Sequence, residues 1–164
     1  MRIIHAVTRG ATAAVLATLF ASSAGAEGIV RVMPPDAPIA TSAAVPAKAN
    51  LIFLSGLVAS PIDPSRPDEL GDTRRQTLDI LTRMKAQIEG LGSSMGSIVK
   101  MTVFLVGVPE NGGRMDRAAM NEVFRTFFGS ADQPNKPTRS TVQVAGLGSP
   151  NVLVEIEAIA ADMP

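Results

Sequence analysis

The chain has 164 residues, 46% hydrophobic and 18% charged, with 15 basic and 15 acidic side chains. It contains no Cys, no Trp and no Tyr, and its one His is His5. Disulfides, thiolate nucleophiles and Cys-type zinc sites are therefore excluded, and removal of the first residues as a leader would exclude imidazole catalysis and His-ligated metals too.

The N-terminus reads as such a leader. Arg2 and Arg9 give it positive charge, Ala11 to Phe20 (ATAAVLATLF) an apolar core, and Ala24-Gly25-Ala26 a small-residue cleavage site. Residues 1–26 are thus expected to be a signal peptide and the protein to be exported, most simply to a periplasm. A retained anchor is the alternative, but the apolar run is 10 residues long, against the ~20 that a spanning helix needs. No stable membrane insertion is expected after leader removal. The remaining 138 residues carry 13 basic and 15 acidic groups, a net charge of −2. That length suits one domain, and that charge argues against nucleic acid as a partner.

Residues 27–49, rich in Ala and Pro, read as an extended lead-in with one short strand, and residues 50–164 as the domain itself. Asn50 to Val58 (NLIFLSGLV) is a mostly apolar strand, and three prolines make Pro61 to Gly71 a loop. From Asp72 to Leu91 the spacing of Leu78, Leu81, Met84 or Lys85, Ile88 and Leu91 predicts a helix, capped by Asp72 or Thr73 and ended by Gly92. Ile98 to Val106 is a β-branched strand, Pro109 to Gly113 a turn, and Met115 to Phe128 a second amphipathic helix ended by Gly129. Thr138 to Leu147 and Asn151 to Ala160 close the chain as two strands. Paired strands with helices between them predict an α+β two-layer sandwich, a mixed sheet with both helices on one face. The other face would remain apolar, which predicts a homo-oligomer.

The most unusual polar groups lie in the last two strands. Glu155 and Glu157 interrupt an apolar run at i, i+2, so their carboxylates share a face, as do Arg139, Thr141 and Gln143 on the strand before. If the two strands form a hairpin about Ser149, the arginine and both glutamates face the same side. Arg139 could then grip a substrate carboxylate through its planar fork, with a glutamate as general base. The alternative is a structural ion pair between Arg139 and Glu157. Asp63, Asp68, Glu69 and Asp72 cluster without calcium-loop spacing and read as a solvated face, so no metal site is expected.

Pro137-Thr138-Arg139-Ser140, Val142, Val144 and Leu147, followed by Val154-Glu155-Ile156-Glu157-Ala158-Ile159-Ala160, resemble the signature of the Rid family of reactive intermediate deaminases (YjgF/RidA). The likeness extends to Phe53-Leu54-Ser55-Gly56, Arg75-Gln76-Thr77-Leu78-Asp79, Gly92-Ser93-Ser94, Ile98 to Leu105, Met120-Asn121-Glu122-Val123-Phe124 and Phe127-Phe128, in order, from about residue 50 to 160. The resemblance implies a chorismate-mutase-like fold assembled as a homotrimer with ligand clefts between subunits. It further implies hydrolysis of 2-imino or enamino acids to 2-oxo acids and ammonia without a cofactor. Arg139 would hold the carboxylate and Glu155 would activate water, with Ser55, Gly56, Thr141 and Asn121 lining the cleft. The sequence departs from the family where a Gly-Pro-Tyr segment usually stands, here Ala40-Thr41-Ser42. It departs again at Thr141, often Cys, at Ile80, often Asn, and in a longer Val106 to Arg114 loop. Two other functions remain open. A non-catalytic carboxylate-binding or holdase-like protein is one, and a ribonuclease, disfavoured by the net charge and by just five Phe after the leader, is the other.

Overall fold

The computed structural model describes residues 28–164; the expected signal peptide lies outside the described residues. The lead-in forms a two-stranded antiparallel ribbon, β1 (Val30–Val32) with β2 (Ser42–Ala44), where the sequence predicts a single short strand. The ribbon is fastened to the domain by polar contacts. Arg31 Nη2 donates to Gly96 O at 3.0 Å, Ala40 N to Pro137 O at 3.0 Å, and Lys136 Nζ to the carbonyls of Pro34 and Pro35. Three-residue strands among prolines leave too little periodicity to read.

The main sheet contains β3 (Asn50–Val58), β4 (Ile98–Val108), β6 (Thr138–Val144) and β7 (Val154–Asp162), in the order β3-β7-β4-β6. A two-residue strand, β5 (Arg114–Met115), folds back on the end of β4 and accounts for the long loop. β4 is antiparallel to β7 and parallel to β6. A β6–β7 hairpin, the condition on which Arg139 and the two glutamates would share a face, is therefore absent, because β4 runs between the two strands. The connection after Val144 must cross to the far side of β4, a displacement of about 10 Å, before β7 begins.

Helix α1 (Thr73–Gly90) starts where Asp72 accepts a hydrogen bond from Arg75 N at 2.8 Å. It ends in a paired cap: Ser93 N donates to Ile88 O, Gly92 N donates to Glu89 O, and Gly92 takes φ 79°. Its buried face is Thr73, Gln76, Thr77, Ile80, Leu81, Met84 and Ile88. Leu78 and Leu91, assigned by spacing to the apolar stripe, point to solvent, because the real stripe includes polar residues that a hydrophobicity count passes over. Helix α2 (Arg117–Phe127) is capped by Asp116 and buries Met120, Val123 and Phe124.

The two helices cover one face of the sheet, and the core lies between the layers. Strand alternation assigns Val154, Ile156, Ala158, Met101, Val103 and Leu105 to that core. The opposite face carries Leu51, Phe53, Lys100, Thr102, Phe104, Val142, Glu155, Glu157 and Ile159, with Phe53 71% exposed. The fold is the expected α+β sandwich with a mixed sheet.

Candidate functional site

Strand register decides which side chains can meet. Arg139 stands level with Met101 of β4, whose side chain is fully buried under the helices. Glu155 stands level with Phe104 and Glu157 with Thr102, on the open face. Arg139 and Glu155 therefore project from opposite faces of the sheet. The same-face arrangement expected from a hairpin does not form, because the parity of β6 is set by β4 rather than by β7. The alternative Arg139–Glu157 ion pair is absent among the described residues for the same reason.

The six expected site residues divide into two groups. On the helix side, Arg139 Nη2 donates to Asn121 Oδ1 at 2.7 Å, and its guanidinium carbon lies 4.2 Å from the centre of the Phe124 ring. Nη1 lies 3.5 Å from Met120 Sδ, and Nε is buried without a partner. Thr141 is two residues further along the same face of β6. No carboxylate pairs with this guanidinium among the described residues. Burial, and secondarily the charges of Arg117 and Arg125, push it down to about 10, so it remains a cation at neutral pH. An amide on one side, a ring beneath and unpaired N–H groups leave a fork suited to an incoming carboxylate.

On the open face, Glu155 extends along β3 beside the irregularity between Leu54 and Leu57. A Cβ at Gly56 would fall 2.1 Å from Glu155 Oε1, so glycine is what allows the carboxylate to rest against the β3 backbone. Ser55 lies next to it and lines a depression of about 360 Å³ with Phe53, Lys100, Thr102, Glu157 and Ile159. That depression includes neither Arg139 nor Glu155. The sequence reading missed Phe124, named only within the second helix, and the arginines of α2; helical spacing around Asn121 carried the signal for all three. Among the described residues no cluster of carboxylates is arranged to hold a metal.

The architecture and this arginine define a small α+β protein with an anion-receptive fork between a helix and an outer strand. Residues 35–162 match the family model described as Endoribonuclease L-PSP, so the chain belongs to the Endoribonuclease L-PSP (YjgF/RidA) family. It is 38% identical over 112 residues to a RutC family protein of Pyrococcus horikoshii, covering 68% of this chain and 79% of that one. It is 35% identical over 111 residues to the 2-iminobutanoate/2-iminopropanoate deaminase of Escherichia coli, covering 68% and 79%. Among solved structures it is similar to E. coli TdcF with bound serine, with a TM-score of 0.54, 34% identity and coverage of 81% of this chain and 98% of that one.

Proposed function

We propose that the protein hydrolyses reactive 2-imino and enamino acids to 2-oxo acids and ammonia, at a cleft built from two copies of the chain. The observation that carries this reading is the half-buried, acid-free Arg139 fork between Asn121 and Phe124. A cation withdrawn from water without a counter-ion is costly unless a ligand supplies one. The named deaminase relative and the serine bound to TdcF both fit a small amino-acid-like carboxylate here.

Since Arg139 and Glu155 emerge on opposite faces, one copy supplies the Arg139 group and a neighbour supplies the Glu155 group. The substrate carboxylate lies on Arg139. Glu155 accepts a proton from water as the water oxygen bonds to the electrophilic C2 of the protonated imine, giving a neutral carbinolamine. Glu155 returns that proton to nitrogen and then takes the hydroxyl proton as the C2 carbonyl forms and the C–N bond breaks; the departing ammonia carries that last proton away as ammonium. The assembly we propose is a homotrimer, and the compartment, through residues 1–26, is extracytoplasmic.

The test is oxo-acid formation from imine released by an amino-acid oxidase, in the presence of semicarbazide as competing trap. The protein should accelerate oxo-acid formation, and Arg139→Ala should abolish the acceleration. A second reading, carboxylate binding without catalysis, draws on Glu155 lying on the opposite sheet face from Arg139 within a single copy. Glu155→Gln separates the two: loss of turnover with ligand still bound supports the enzyme, and no change supports the binder. Ribonuclease activity, which the family model's description suggests, has less support from a net charge of −2 after the leader.

A further inference from the structure

On α2, Arg117, Asn121 and Arg125 follow at four-residue spacing, which stacks them along one helix face about 6 Å apart. The middle member is fixed to the site by its 2.7 Å bond with Arg139, and Phe124, on the adjoining turn, carries the Arg139 guanidinium on its ring. Arg117 and Arg125 therefore flank that guanidinium, one turn to either side, and both are exposed. Their charges act on Arg139, helping to push it down. Neither takes part in an ion pair among the described residues. Of the acids nearby, Asp116 caps α2 and Glu122 pairs with Arg74, while Asp36 lines a small hollow with Arg125 and Lys136 without an ion pair to either among the described residues. One bound carboxylate would leave most of this positive charge uncompensated.

We infer that the site takes a dianion: a four- or five-carbon dicarboxylic 2-imino acid, its C1 carboxylate on Arg139 and its distal carboxylate on Arg117 or Arg125. The inference rests on the deaminase reading for the imine and on the α2 face for the second charge. Such an acid places its two carboxylates about one helical turn apart, which matches the step from the Asn121 level to either flanking arginine.

The test needs no turnover. The intact protein is titrated calorimetrically with 2-oxoglutarate and with 2-oxobutanoate, at low and at moderate salt. At low salt the dicarboxylate should bind at least about tenfold more tightly, and salt should narrow the gap, because the flanking arginines are exposed. In the double variant R117Q/R125Q the two affinities should fall within about twofold of one another, since the second charge then has no partner. Equal affinities in the native protein, a preference that survives in the double variant, or no binding of either acid would overturn the inference. Arginines that serve only a subunit contact would give the first of these results. Imine turnover measured alongside separates the two readings. Preferential dicarboxylate binding without hydrolysis of either imine sinks the deaminase proposal, and with it the imine, but leaves the dicarboxylate site standing; hydrolysis with equal affinities does the reverse.

Discussion

Arg139 and Gly56 illustrate how single residues set the chemistry. The Arg139 guanidinium is pushed down to about 10, chiefly by burial, so it is charged throughout the neutral range. Carboxylate affinity should be flat from pH 6 to 9 and fall as pH rises through about 10, as read by titration with 2-oxobutanoate. The stability linkage has the opposite sense. Above about 10 the unfolded chain holds this proton more firmly than the folded one, so stability rises with pH there, and at neutral pH the lone charge is a standing cost. Arg139→Met should therefore keep or raise the ligand-free melting temperature while erasing the shift that 2-oxobutanoate produces. A drop of several degrees would mean that the arginine is structural. At Gly56, a methyl group would displace only the flexible end of Glu155. Gly56→Ala should thus leave the fold intact and lower imine turnover at least about tenfold through misplacement of the base; unchanged turnover would remove Glu155 from the reaction.

At the scale of elements, the connections matter as much as the strands and helices. Gln76 on α1 is fully buried and clamps the chain before β7: its Nε2 donates to Gly71 O and Asn151 O, and its Oε1 accepts from Leu153 N. Gln76→Leu leaves those backbone groups unpaired and should cost about 3 kcal/mol, measurable by urea denaturation. The spans of β3 and α1 were legible in the sequence, because Asn50 to Val58 is bounded by polar residues and turns and α1 has a strong cap at each end. Hidden were the pairing partners. β6 and β7 are consecutive and nearly adjoining, which favours a hairpin reading. The parallel pairing of β6 with β4 depends on α2 carrying the chain across, and local pattern does not encode it. The site inherited that gap: Arg139, Glu155 and Asn121 were each recognisable by residue type and family likeness, but their division between two faces follows from strand order alone.

At the scale of the whole molecule, one sheet face is covered by helices and the other bears Phe53, Leu51 and Val142 in the open. An apolar face of this kind favours association with further copies. Light scattering should give a mass above that of one chain, and Phe53→Glu should shift it toward the monomer. Turnover should fall in step, because a single copy holds only half of the proposed site. A Phe53→Glu protein that is monomeric yet fully active would place the whole reaction within one chain.

The division of the site between copies is tested most directly by mixing Arg139→Ala and Glu155→Gln proteins under conditions that allow subunits to exchange. Each variant alone is expected to be inactive towards the oxidase-generated imine. After exchange of equal amounts, about a quarter of the sites should combine an intact Arg139 from one copy with an intact Glu155 from its neighbour, restoring about a quarter of the native rate. A mixture that remains inactive after verified exchange would contradict a site shared between copies.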